Sequence, residues 1–527
     1  MNIYFLGMCF SMFVYIIIGM VVSKRVKSVD EYYVAGRRAP VFLISGSLIA
    51  SYASTSMFMG DAAQCYDGAF SSLIILSTMQ TAGYIIGAVF FGRYLRRSKV
   101  LTIPDFFEKR FCSTKIKKLA AITAIVTMTV YLLSIIQGIC TLMNVVTDVD
   151  YKLCVILSLL VITFVTVLSG SSGVLITDTL MAVIFTSALV LATLAIAHNS
   201  GGWFEAVSKL SSNPETAQML SWRGESGVLY STGVENILWG FVYGIVWMSV
   251  CMVGPWQSSR YLMAKDEHTV VRSAFFASIG IFMLEFLAGM AAVMVNITNP
   301  GLKDSSYVLI WAAMNLMPKL LGVILLTGVL AAGISSATTF LSLVGASFAN
   351  DVVRTKEEYK IGLGRIAMVI VSVVVMLIAL FNPPSIFWIT FLGGAIVASS
   401  WMPVALASIF SKRITKTGAY LGMLSGFLAC FVLRLFSSLN GITLPVYLDP
   451  SVVGMGVNVI FMILGSVFTT VSDSEKKSRD AMFVIPDSEK NINEMKKTLK
   501  YTKNSVLIGA GFVVFMLIFW VVPYLCG

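Results

Sequence analysis

Charge is scarce in this sequence. Asp, Glu, Lys and Arg make up 12% of its 527 residues, where a soluble domain carries roughly 25%. With 57% hydrophobic residues and a mean hydropathy of +0.85, the chain cannot clothe a water-facing surface, which excludes an ordinary soluble fold. Histidine is nearly absent. His198 and His268 stand 70 positions apart and form no metal or triad pattern. The eight cysteines, Cys9, Cys65, Cys112, Cys140, Cys154, Cys251, Cys430 and Cys526, show no CxxC spacing. Most lie in apolar runs, so they read as small buried hydrophobes rather than disulfides or metal ligands. No polar stretch is long enough to fold alone. No constellation of nucleophile, base or metal ligands appears, which argues against an enzyme. Strict alternation is also missing, which excludes a membrane barrel.

What is present is a series of apolar runs about 20 residues long, the length that crosses the hydrocarbon core as a helix. LCVILSLL and VVVMLIAL are examples. Fourteen spans are predicted, at 2–22, 40–60, 70–92, 118–146, 152–169, 174–197, 234–255, 272–297, 320–348, 362–382, 385–410, 417–437, 452–471 and 504–525. The first lacks a basic leader and a small-residue cleavage site, so it reads as a retained helix rather than a signal peptide.

The net charge of +11 follows from loop asymmetry and needs no nucleic-acid partner. Of 38 Lys and Arg, 32 fall in one alternating set of loops, including Lys24, Arg25, Lys27, Arg260 and Arg354. Five fall in the other set, and Arg434 lies within a span, where it is expected to snorkel. The positive-inside rule places the basic set in the cytoplasm and both termini outside. The lack of large extramembrane domains suits a bacterial inner membrane. Residues 472–503 form the one long polar linker, expected to be a solvated tether or short surface helix.

A site in such a protein needs polar groups at mid-membrane, commonly where a helix breaks and frees its carbonyls. Two segments fit. The second span, ISGSLIASYASTSMFMG, carries six Ser or Thr between Ser45 and Ser56. The ninth, LAAGISSATTFLSLVGASFANDVV, places Ser335, Ser336, Thr338 and Thr339 within five residues. Ser335, Thr338 and Thr339 share one helical face and Ser336 the neighbouring one, so the run can serve two adjacent sites. Packing through small residues is the rival explanation. Asp178 is an intramembrane carboxylate, which is costly and points to function. Glu285 raises the same question, but its flanks, FMLE and FLAG, give it no polar company, so a structural or water-exposed role is expected.

At these residues the sequence resembles the sodium:solute symporter family, whose members include proline, pantothenate, sialic acid and sodium/glucose transporters. The resemblance runs from about Tyr4 to Val471. It is carried by DEYYVAGRR at 30–38, the Ser-rich second span with its FMG, IPDFFEKRF at 103–111, SGSSGVLITDTLMA at 169–182, GPWQSSRYLMAKDE at 254–267 and LAAGISSATT followed by NDV. The order and spacing of these motifs are what make the likeness specific.

The resemblance implies an all-α polytopic LeuT-like fold with two inverted repeats of five helices, at 40–197 and 234–410. An extra helix and loop (1–39) would precede them, with an extracellular loop at 198–233. Two further helices (411–471), the polar linker (472–503) and a last helix (504–527) would follow. It implies one sodium site built from Ala50, Ala53, Ala332, Ser335 and Ser336. Some members have a second, which here would use Asp178, Thr338 and Thr339, although Asp178 could instead serve gating or coupling. By position, solute contacts would fall to Tyr52, Ser54 and Met57, with Gln80, Gln137 and Trp247 as looser matches. Met57 stands where sugar transporters carry Gln, and the Arg of sialic acid transporters has no counterpart on the third core helix. Pro255-Trp256-Gln257-Ser258-Ser259-Arg260 departs from the Pro-His-x-x-x-Arg pattern of proline and pantothenate transporters. The expected activity is sodium-coupled symport of a small, partly apolar, carboxylate-bearing solute. Proton coupling on the same fold and a transporter-like membrane sensor stay open as alternatives.

Overall fold

The computed structural model describes residues 3–23, 28–353, 355–381 and 385–526, so Lys24, Arg25, Lys27 and Arg354 of the basic loops lie outside the described residues. The chain is helical. Its β contact among the described residues is one isolated bridge between Ala39 and Ala264. After α1 (Ile3–Ser23) come α2 (Val41–Tyr52), α3 (Met57–Tyr66), α4 (Phe70–Ser98), α5 (Thr114–Thr147) and α6 (Tyr151–Asn199). The run continues with α7 (Gly233–Val253), α8 (Pro255–Met263), α9 (Glu267–Val295), α10 (Lys319–Val352) and α11 (Glu357–Ala379). It closes with α12 (Ile386–Phe410), α13 (Lys416–Asn440), α14 (Pro450–Val467) and α15 (Ile492–Cys526).

Twelve described helices are long and apolar enough to cross a membrane, or thirteen if the bent pair α2–α3 is one span. This is a multi-pass membrane protein. The expected fourteenth corresponds to α1, whose described apolar portion, Ile3–Val14, is shorter than a span. The expected fifth and sixth spans both fall in α6, as Tyr151–Leu168 and Val174–Asn199.

Local chemistry fixes the helix ends. Asp150 caps α6, Thr232 and Glu235 form a capping box on α7, and Asp266 accepts from the Thr269 N–H at the start of α9. Burial then sorts the helices into layers. In α9, 78% of the spanning window is buried, and in α7–α8, α10 and α12 it is 72%, whereas in α15 it is 6%. The outer helices turn large apolar side chains such as Phe164, Ile366 and Val514 outward, as a lipid-facing surface requires.

Small residues let the inner helices touch. A Cβ on Gly46 would stand 2.6 Å from Thr179 Cγ2, and one on Gly333 would stand 2.7 Å from both Ile139 Cγ1 and Thr55 Cγ2. Alpha-2, α5, α6 and α10 therefore meet almost backbone to side chain.

Three expectations need correction. The ninth span is not broken: α10 is helical from Lys319 to Ser347 before a π turn. Its hydroxyls do not interrupt the ladder, and Thr338 Oγ1 donates back to the Ser335 carbonyl at 2.9 Å. The second break instead falls in the seventh span, at Gly254 (φ −57°, ψ 138°) before Pro255. Proline offers no N–H and pushes its predecessor out of the α region. Lastly, the polar linker is docked, not merely solvated. Glu475 is fully buried, and its carboxylate accepts from the Lys416 N–H at 2.7 Å. His268 lies between Thr498 Oγ1 and the Glu489 carbonyl, 3.0 Å from each.

Candidate functional site

The second span breaks as its hydroxyl content suggests. Alpha-2 ends at Tyr52, Ala53 takes an extended conformation (φ −65°, ψ 112°), and α3 leaves at 47° to α2. A helix end leaves carbonyls without helical donors. Ser336 of α10 reaches this end, and its Oγ lies 3.4 Å from the Ala50 carbonyl oxygen. Ala50, Ala53, Ala332 and Ser336 are all fully buried. The structure therefore brings Ser336 to Ala50 at the α2–α10 junction, with Ala53 at the break and Ala332 one turn before Ser336 on α10.

Ser335 turns the other way. Its hydroxyl donates to Asp178 Oδ1 at 2.5 Å. Ser47 donates to Asp178 Oδ2 at 2.5 Å. Between them sits a cation that belongs to the chain. Arg260 Nη2 donates to Asp178 Oδ2 at 2.9 Å and to Thr339 Oγ1 at 2.6 Å, while its Nε donates to Ser47 Oγ at 2.6 Å. Arg260 is 1% exposed. Its expected place in a cytoplasmic loop is thus corrected: the Gly254 break turns α8 inward and carries the guanidinium to Asp178. Asp178 and Thr339 come together as expected, with Arg260 between them, and Thr338 bonds to its own helix instead.

The solute-contact candidates converge on a second polar centre. Tyr52 OH donates to Glu285 Oε1 at 2.7 Å. Gln80 faces the same carboxylate. Trp247 packs edge-on against Tyr52, ring centroids 5.7 Å apart, and against Tyr131 at 5.9 Å. Ser54 Oγ lies 3.4 Å from Tyr131 OH. Met57 is buried at the start of α3. Gln137 lies further out, in the wall of a polar cavity of about 300 Å³ with Gly60, Gln64 and Ser305. A larger apolar cavity of about 580 Å³, lined by Phe42, Ile49, Val183 and Phe276, lies apart from this chemistry and suits hydrocarbon.

Glu285 corrects another expectation. It is 0% exposed, and its polar company comes from neighbouring helices, not from its own flanks. Beside it lies Asp61, whose Oδ1 accepts from Tyr243 OH at 2.6 Å. Asp61 stands one residue beyond the predicted span 40–60 and is not among the expected site residues. The Gly-Asp step after FMG was the available signal: a carboxylate inside an apolar segment.

Comparison with known proteins identifies the family and the fold. The sodium:solute symporter family profile matches residues 32–426. An osmoregulated proline transporter, OpuE, of Bacillus subtilis is 23% identical over 444 residues, covering 81% of this chain and 86% of the relative. The sodium/proline symporter of Salmonella typhimurium is 23% identical over 500 residues, covering 90% and 96%. Among solved structures, a substrate-bound, outward-open Na+-coupled sialic acid symporter superposes with a TM-score of 0.75 at 18% identity, covering 89% of this chain and 98% of that one. Mhp1, a nucleobase-cation-symport-1 family transporter in a closed conformation, gives 0.57 at 10% identity, covering 85% and 98%. At such identities the two structures speak for the fold alone. The matched relatives are transporters, not enzymes.

Proposed function

This chain belongs to the sodium:solute symporter family, and from that premise we propose that it imports a small organic solute by alternating access, driven by sodium bound at the α2–α10 junction. The observation that carries the reading is the approach of Ser336 Oγ to the Ala50 carbonyl at the helix break. Oxygens about 2.4 Å from a hard cation, the range for the similar-sized calcium ion, stand about 3.4 Å apart at right angles. Ser336 Oγ and the Ala50 carbonyl oxygen stand 3.4 Å apart. Carbonyls of Ala50, Ala53 and Ala332 with the hydroxyl of Ser336 would hold the ion, with Ser335 joining if it leaves Asp178.

The two breaks, at Ala53 and Gly254, fall in the opening helices of 40–197 and 234–410. That correspondence supports the five-plus-five inverted repeat, in which one bundle rocks against the rest. One sodium ion per cycle fits the Asp178 cluster, because Arg260 already supplies its positive charge. A second ion would need Arg260 to leave. The basic loops would face the cytoplasm of the cell membrane and both termini the outside.

Sodium that binds the outward, solute-ready state better than the inward one shifts the balance by that difference. By reciprocity, solute tightens sodium by the same factor. The test is thermal stability of the purified protein in sodium against potassium, for wild type and Ser336→Ala. The expected result is stabilisation by sodium alone, lost in the variant. No response to sodium at any pH would contradict the reading and favour proton coupling or a sensor.

A further inference from the structure

Asp61 and Glu285 are two buried carboxylates that the sodium site does not use. Asp61 is 9% exposed and Glu285 0%. They lie on α3 and α9, which pack against each other. Among the described residues, no Lys, Arg or His forms an ion pair with either. Every other deeply buried intramembrane carboxylate of the core has such a partner: Asp178 has Arg260, and Asp351 has Lys117. Two buried carboxyl groups without a cationic partner are costly to keep charged, and a cation that reaches both would offset that cost.

The polar atoms around them are also unfinished. The Gln80 amide faces the Glu285 carboxylate, but the Gln80 amide oxygen closes no hydrogen bond, and neither does Nε1 of Trp247. All three side chains are at least nine-tenths buried. The walls are aromatic. Tyr52 bonds Glu285, Tyr243 bonds Asp61, Trp247 packs on Tyr52, and Trp239 stacks on Tyr243 at 5.9 Å with 6° between the ring planes.

We infer that Asp61 and Glu285 receive an organic ammonium group of the transported solute, with the surrounding aromatic rings as its apolar wall. This deepens the symport reading and rests on it. Aromatic faces attract a weakly hydrated organic cation. A bare metal ion needs a full oxygen shell instead, which aromatic walls do not supply. A solute offering only a carboxylate here would meet two carboxyl groups and, among the described residues, no Lys, Arg or His ion-paired with either.

Access runs through Gln64. It lines the polar cavity of about 300 Å³ together with Gln137 and Ser305, and also a cavity of about 10 Å³ against Asp61 and Tyr243. The inner space is nearly closed in this structure. A solute therefore enters only as α3 moves relative to α7 and α12, whose Tyr243 and Phe387 close it.

The test is thermal stability of the purified full-length protein in saturating sodium. The probes are putrescine and choline, with butane-1,4-diol, 3,3-dimethylbutanol and succinate as neutral and anionic counterparts. Wild type, Asp61→Asn and Glu285→Gln are compared. The amides keep size and remove charge, so both variants should fold and keep the sodium response. The expected result is saturable stabilisation by at least one cation and none by its neutral counterpart. That response should weaken at least tenfold in each variant. Stabilisation by succinate or the alcohols alone, a cation response that survives both variants, or no response to either cation with the sodium response intact would each overturn the inference. Loss of the sodium response in wild type is a different failure, that of the symport reading itself.

Discussion

Ser336 on α10 and Asp178 on α6 serve different centres, and deleting either side chain's chemistry should have a different signature. Ser336 is a neutral oxygen near a free carbonyl. Its removal leaves the fold intact and takes one ligand from the cation, so Ser336→Ala should weaken sodium binding about tenfold or more, roughly 1.4 kcal/mol, with little change in stability in potassium. Asp178 instead balances a buried guanidinium. Asp178→Asn leaves Arg260 unpaired, which costs about 3–5 kcal/mol when a buried pair is broken. Arg260→Met strands Asp178 in the same way. The double variant should recover much of the loss, and a thermal or denaturant double-mutant cycle reads the coupling. If sodium normally replaced Arg260 here, Arg260→Met would strengthen sodium binding at Asp178. The hydroxyl run of α10 and Asp178 were legible in the sequence because polar atoms are rare inside apolar spans. Arg260 was not. Its neighbours read as a basic loop, and only the turn at Gly254 brings it inside.

Among the elements, the contact of α2 with α6 holds the break in place. Gly46 leaves no room for a side chain, since its Cβ would fall 2.9 Å from Thr179 Oγ1 as well as against its methyl. Gly46→Val should cost about 1–3 kcal/mol, the usual price of overpacking, and should weaken sodium binding by displacing Ala50 and Ala53. Thr179→Ala in the same chain should restore part of both, measured by melting temperature and sodium response. At the opposite end of α10, two motifs that were read separately are joined. Thr102 donates to Asp351 at 2.8 Å, Lys117 bonds Asp105 and lies 3.0 Å from Glu108, and Asn350 donates to Asp105 at 2.9 Å. IPDFFEKRF and NDV thus form one network. Nearby, burial and Arg479 lower the Arg110 guanidinium to about 10, so it stays charged at neutral pH while bonding the Ser408 and Glu475 carbonyls. Span positions followed from hydropathy because lipid demands long apolar runs. The breaks were harder to place. Serine and threonine can satisfy themselves on their own helix, as Thr338 does, whereas Gly254-Pro255 cannot continue one.

At the scale of the whole molecule, layered burial and loop charge together imply an orientation. The helices richest in buried residues carry both polar centres, while α11, α13, α14 and α15 form the outer face. If the basic loops face the cytoplasm, Lys476→Cys in a cysteine-free background should react with an impermeant maleimide only in opened cells, and Lys303→Cys in intact ones. The reverse pattern would invert the topology and the direction of transport. The overall class, a multi-pass helical membrane protein, could be read from composition, but the count of fourteen spans could not, because twelve described helices, or thirteen with the bent pair as one, are long and apolar enough to cross. The docking of 472–503 could not, because a charged run looks the same whether it is solvated or held by buried groups such as Glu475. The most direct test of sodium at the α2–α10 junction is equilibrium binding of sodium-22 to the purified protein. The account predicts saturable binding of about one ion per chain, displaced by sodium but not by potassium, and weakened about tenfold or more in Ser336→Ala protein that melts like wild type in potassium. Undiminished binding in that variant, or no saturable binding in wild type, would contradict it.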